Sequence, residues 1–267
     1  MPFLAHHEVK LHYAISGSGP PLLLLAGTSL DTRVWDRVAK DLSQSLTLVA
    51  MDLRGSGLSD APRGPYAIRG MVEDVRALVE HLGLGSVPVA GHSMGGFVAL
   101  AYALDASRAV SGLALISTAA SGNPGVLGAD PAIFEAFARR GPAEEVLRES
   151  LLACLGRTFK AAHGDEAEAF VAERIERPPR GAGLAGQMAA AAGFDARQKL
   201  AGIKCPTLVV HGDEDEVIPL ARAEELARGI PGSVLHVLAG VGHMPQLEAP
   251  REIARLLVGF FDARRAA

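Results

Sequence analysis

The stretch VPVAGHSMGGFVALAYAL, residues 87–104, joins two apolar segments through a turn that sets Ser93 among Gly91, Gly95 and Gly96. The first segment reads as a buried strand, and the second, from Met94 onward, as a buried helix. Glycines at such a junction have two explanations. They are either undemanding filler at a tight turn, or they mark a bend so sharp that neighbouring Cβ atoms would clash while the serine hydroxyl is aimed outward. GHSMG at 91–95 is the single G-x-S-x-G in the chain. A strand before it and a helix after it favour the second explanation, with Ser93 as a nucleophile.

The same alternation extends outward. VKLHYAIS (9–16) has the period-2 pattern of a half-buried strand, and LLLLA (22–26), LTLVAMD (46–52), GLALIST (112–118) and PTLVVHG (206–212) are nearly continuous apolar runs, as parallel strands buried on both faces require. SVLHVL (233–238) is a further strand. Helical spacing lies between them at 31–42, 68–84, 94–105, 220–229 and 250–263; Met71, Val75, Leu78, Val79 and Leu82 share one face, and Gly83 stops that helix. Strand alternating with helix predicts an α/β fold: a mostly parallel central sheet of about eight strands flanked by helices. Residues 119–200 break the rhythm, with helical spacing, many alanines and no strand. They are expected to form a helical cap, or lid, inserted after strand six into a core made of 1–118 and 201–267.

A chain of 267 residues accommodates one large domain with an insertion and is short for two full domains. Apolar residues at 49% and charged residues at 21% place it with ordinary globular proteins rather than disordered or membrane chains. No apolar run reaches the roughly 20 residues of a membrane span, and the opening MPFLAHHEVK lacks the order of a secretory signal. A cytoplasmic location is expected, with no membrane partner. Cys154 and Cys205 are too few for a disulfide framework and are not spaced as metal ligands. The 26 basic and 30 acidic residues are interspersed, leaving no basic stripe for nucleic acid.

A serine hydroxyl needs a base, and the base needs an orienting acid. His243 stands on the Gly-rich loop GVGHMPQLEAP (240–250) after the last strand, free to reach across to Ser93. His236 lies within a strand pattern and His92 points away from Ser93 as its immediate neighbour; the remaining histidines belong to the N-terminal strand region, a helix and the insertion. HGDEDEVIP (211–219), after an earlier strand, offers Asp213, Glu214, Asp215 and Glu216 as the acid. The N–H of Met94, opening the helix after the nucleophile, and one N–H from the loop after LLLLA are the expected oxyanion donors.

LLLLAGTSLDTRVWD, MDLRGSGLSD, VAGHSMGGFVAL, TLVVHGDEDEVIP and GVGHMPQLEAP together resemble the α/β-hydrolase fold superfamily, in its order and at its intervals, over essentially the whole chain. The resemblance implies that the acid is Asp215, three residues after Gly212, with Asp213 as the alternative. Some members carry the acid after strand six, but Ser117 and Thr118 there cannot serve. Aligning Gly27 with the family's His-Gly implies Thr28 as the second oxyanion donor, with Ser29 as the alternative. The histidine itself is replaced by Ala26, and in this region the chain is similar to enol-lactone hydrolases, which also share a Trp-Asp pair like Trp35-Asp36. The loop with Asp52, Arg54, Gly55 and Gly57 is expected to be scaffold.

The implied activity is hydrolysis of small to medium carboxylic esters through an acyl-enzyme on Ser93, without cofactor or metal. Lactone opening of the 3-oxoadipate enol-lactone type is the alternative. C–C bond hydrolysis, a cofactor-free haloperoxidase or perhydrolase activity, and a non-catalytic ligand receptor follow. Epoxide hydrolases and haloalkane dehalogenases of this fold use an aspartate where this chain has Ser93. Phe134, Phe137, Leu151, Phe159, Phe170, Met188 and Phe194 are candidate pocket residues, with packing as the plainer reading, and Arg33, Arg177 and Arg180 are candidate partners for a substrate carboxylate.

Overall fold

The computed structural model describes residues 2–128 and 143–265. Eight strands form one sheet: β1 (Phe3–His6), β2 (Val9–Gly17), β3 (Pro21–Leu25), β4 (Thr47–Met51), β5 (Val87–His92), β6 (Val110–Ile116), β7 (Thr207–Gly212) and β8 (Val234–Leu238), in the order β1-β2-β4-β3-β5-β6-β7-β8. β1 pairs antiparallel with β2 and β2 with β4, and every later pairing is parallel.

The apolar runs work as two-faced strands because successive side chains alternate across the sheet. Leu23, Leu25, Val49, Val89, Leu113 and Val209 join one core with α2 (Ile68–His81), α3 (Met94–Asp105) and α8 (Leu220–Gly229). Leu22, Leu24, Leu48, Ala90, Ala114 and Val210 join the opposite core with α1 (Asp36–Leu42) and α9 (Pro250–Arg265). The helices α4 (Ala143–Ala153), α5 (Arg157–Ala162), α6 (Gly164–Ile175) and α7 (Gly181–Ala192) run between β6 and β7 in sequence. Leu151, Leu155, Phe159, Phe170 and Val171 of this inserted segment form a third cluster with Ala26, Leu30, Met244 and Leu247 of the core.

Two local expectations are corrected. β1 is an addition to the strands read from the sequence, and residues 31–42 are not one helix: Asp31 accepts from Arg33 N–H and caps a 3-10 turn, Thr32–Trp35, that leads into α1. Among the described residues no helix is long and apolar enough to cross a membrane, and no cluster of three or more His, Cys, Asp or Glu side chains is placed to hold a metal.

Candidate active site

Ser93 sits between the end of β5 and the first residue of α3, at φ 52° and ψ −121°. That conformation is costly for a residue with a Cβ, of order 1–3 kcal/mol, and is held from several sides. Ser93 N–H donates to the Ile116 carbonyl (3.0 Å), and its own carbonyl accepts from Gly96 N–H and Thr118 Oγ1, each at 2.8 Å. The three glycines around it owe nothing to left-handed backbone, since none has a positive φ. They permit close approach: a Cβ on Gly91 would overlap the Gly95 carbonyl, one on Gly95 the Leu25 and Ala26 carbonyls, and one on Gly96 the Thr118 side chain. The strain is therefore in the serine, and the glycines let three segments of chain close around it.

Three sequence candidates converge. Ser93 Oγ lies 3.0 Å from His243 Nε2, and His243 Nδ1 lies 2.8 Å from Asp215 Oδ2. A carboxylate at Nδ1 fixes the proton there and leaves the Nε2 lone pair facing the hydroxyl, the arrangement required to remove its proton. Asp215 Oδ1 accepts from Val217 N–H (3.0 Å) and Ile218 N–H (2.8 Å), and His211 Nε2 stands 3.3 Å from Oδ2. Burial works against the charge of Asp215, but His243, His211 and the Ile218 amide outweigh it and hold the carboxyl below its ordinary range. Asp213 turns elsewhere and accepts from Gly240 N–H at 2.7 Å.

The backbone of His243 is fixed as firmly as its ring. Its N–H donates to the Cys154 carbonyl (2.8 Å), at the end of α4, and its carbonyl accepts from His92 Nε2 (2.7 Å). Glu248 takes the amides on either side, Gly242 at 2.8 Å and Met244 at 3.1 Å, together with Gly156 N–H at 3.0 Å. His92 is fully buried; burial above all, with the neighbouring His243, pushes its ring down to about 3, so it is neutral and its proton sits on Nε2.

Of the oxyanion candidates, Met94 opens α3, where the first N–H groups have no partner within the helix. The loop after β3 abuts Ser93, since a Cβ on Gly27 would stand 3.0 Å from Ser93 Cβ. Ser29 is withdrawn as an alternative to Thr28: its N–H is committed to Gln187 Oε1 at 2.7 Å.

The remaining sequence candidates are engaged elsewhere or sit on the surface. Arg33 makes a two-pronged pair with Asp31, Arg180 binds the Gly57 and Ser59 carbonyls, and Arg177 is exposed. Leu151, Phe159 and Phe170 pack in the third cluster, Phe194 stacks on Phe97 and Met188 is exposed. Phe134 and Phe137 lie outside the described residues. Sequence reasoning missed Glu248, Arg174 and Gln187. Only Glu248 left a signal, a carboxylate five residues after His243 in the same loop.

The alpha/beta hydrolase fold family model matches residues 20–250. The AB hydrolase superfamily protein YisY of Bacillus subtilis is 31% identical, over 96% of this chain and 97% of the relative. Among solved structures, the enol-lactonase from Burkholderia xenovorans LB400 superposes with a TM-score of 0.86 at 27% identity, covering 98% of this chain and all of the other. A thermophilic esterase from Thermogutta terrifontis gives 0.80 at 29% identity, over 96% of this chain and 94% of its own. The chain belongs to the alpha/beta hydrolase fold family.

Proposed function

We propose that the protein is a serine hydrolase that cleaves carboxylic esters of small to medium organic substrates through an acyl-enzyme. The observation that carries this is the unbroken line from Ser93 Oγ through the His243 ring to Asp215, with contacts of 3.0 and 2.8 Å. Ser93 Oγ attacks the ester carbonyl carbon as His243 Nε2 takes its proton. The negative charge on the carbonyl oxygen is met by the N–H groups of Thr28 and Met94. Collapse expels the alcohol, protonated from His243, and leaves an acyl group on Ser93. Water then attacks with His243 again as base, the acid departs, and Ser93 recovers its proton. Asp215 remains ionised throughout, holding the tautomer and stabilising the imidazolium. Every proton transfer is carried by the chain's own groups. Residues 119–200, whose described helices cover the loops at 26–30 and 244–247, act as the lid.

Lactone opening is the second reading, favoured by the similarity to the Burkholderia enol-lactonase over 98% of this chain and all of the other. It uses the same groups, with the leaving alcohol retained in the product. Proton release from a panel of short-chain esters and lactones, with wild type and Ser93→Ala, tests both. Multiple turnover lost in the variant supports the mechanism, and the ester-to-lactone ratio ranks the two readings. Folded wild type that turns over no member, or a Ser93→Ala variant that keeps its rate, refutes it.

A further inference from the structure

Two side chains of the helical insertion, neither hydrogen-bonded to Ser93 or His243 among the described residues, grip a single residue of the loop beside Ser93. Ser29 has φ 61°, a left-handed conformation unfavourable for a serine. Its N–H donates to Gln187 Oε1 on α7 (2.7 Å), and its carbonyl accepts from Arg174 Nη2 on α6 (2.7 Å). Both of its backbone hydrogen bonds are therefore made to the insertion.

The two gripping groups each have further partners. Gln187 has no solvent exposure, and its amide nitrogen donates at 2.8 Å both to the Arg54 carbonyl and to Ser56 Oγ. One amide thus ties together the loop after β3, the loop after β4 and α7. The helix can come that close because Gly183 and Gly186, on the same face as Gln187, lie against Gly55 and the Tyr66 ring, where a Cβ would overlap. Arg174, also buried, pairs with Asp31 Oδ2 at 3.1 Å. A surface loop has no need of a buried amide and a buried guanidinium, both costly to desolvate. A loop that must hold an N–H in place beside a reacting oxygen does.

We propose that Gln187 and Arg174 are positioning residues for the hydrolytic reaction: by fixing both backbone groups of Ser29 they hold the preceding amide, Thr28, at the oxyanion position, so that the oxyanion hole is complete only when the insertion is docked. The inference rests on the serine hydrolase reading and adds to it a dependence of catalysis on residues remote from the substrate. Complete loss of an oxyanion donor costs about 10²- to 10³-fold in kcat. A donor still present but displaced costs less, roughly 10- to 100-fold.

The test compares wild type, Gln187→Met and Gln187→Glu by two readouts: hydrogen–deuterium exchange of the segment 26–31, and kcat and KM on an ester that wild type turns over. Gln187→Met keeps the volume and removes all three hydrogen bonds. It is expected to raise exchange in 26–31 while β5 and α3 stay protected, to lower kcat roughly 10- to 100-fold with KM nearly unchanged, and to weaken a trifluoromethyl ketone inhibitor in step with kcat. Gln187→Glu retains an acceptor for Ser29 N–H and is expected to fall between the two in both readouts; it decides the matter if Gln187→Met does not fold. Unchanged exchange in 26–31, raised exchange with unchanged kcat, or a rise in KM alone overturns the proposal. Failure of the underlying reading is seen separately, as a wild type whose turnover is absent or insensitive to Ser93→Ala.

Discussion

His92 provides a quantitative check on how the histidine loop is anchored. A ring held neutral by burial at about 3, against 6.5 for an exposed histidine, binds its proton less tightly in the folded than in the unfolded chain. Unfolded protein therefore takes up the extra proton between these values. The stabilisation is complete above pH 6.5 and is lost as the pH falls through that window. At pH 5, about 1.5 units below the ordinary value, the loss amounts to about 2 kcal/mol, from 1.36 kcal/mol per unit. A His92→Gln variant places an amide nitrogen where Nε2 now donates to the His243 carbonyl at 2.7 Å, and the new side chain carries no titrating proton. Urea unfolding, followed by circular dichroism at intervals from about pH 7.5 to 5, should show wild type losing about 2 kcal/mol more than the variant over that range. His211, also pushed down by burial, adds a slope of the same sign to both proteins, so the difference between them carries the result. Asp215, held below its ordinary value of 3.8, stays ionised across the pH range of these unfolding measurements. Parallel stability curves for the two proteins would refute the reasoning.

Two further outcomes follow from the site. Asp215→Asn should lower kcat by about 10⁴, while Asp213→Asn, whose carboxylate accepts from the Gly240 amide, leaves kcat within a few-fold; steady-state kinetics on both variants distinguishes the two acids, and equal losses would contradict the assignment. Glu248→Gln leaves one oxygen for three amides, Gly156, Gly242 and Met244. It should cost about 2 kcal/mol in denaturant unfolding and roughly tenfold in kcat with KM preserved, and an unaltered kcat would show that the clamp has no bearing on His243.

The parts of the fold that follow a local rule can be read directly. β5, the serine turn and α3 lie where a strand–turn–helix pattern puts them, and α8 spans 220–229 as its spacing requires. The misses share a cause. β1 has four residues, FLAH, with no alternation, and exists because Phe3–His6 pairs with Val9–His12 across a turn at His7, whose φ is 52°. Asp31 reads as the start of a helix, but its carboxylate is shared with Arg33 and with Arg174, far along the chain. Gln187 sits among alanines in α7 and carries no mark of importance, because its partners, the backbone of residues 29 and 54 and the Ser56 hydroxyl, lie more than a hundred residues away in the chain. A side chain that hydrogen-bonds distant main chain leaves no periodicity and no motif. Sequence alone singles out Arg33, Arg177 and Arg180 over Arg174 for the same reason: burial of an arginine is decided by tertiary contacts.

The pairing of β6 with β7, Leu113 beside Thr207 through Ile116 beside Val210, joins neighbours in the sheet that are far apart in the chain. Closing a loop costs an entropy that grows only logarithmically, about 0.6 kcal/mol for each doubling of its length. The stability of the sheet is thus nearly indifferent to how much chain is spliced between these two strands. Ser93 precedes the splice, and Asp215 and His243 follow it. The inserted segment can lengthen, shorten or change its side chains at small thermodynamic expense, and the role proposed for Gln187 and Arg174 asks of a replacement only that it supply an acceptor and a donor for Ser29.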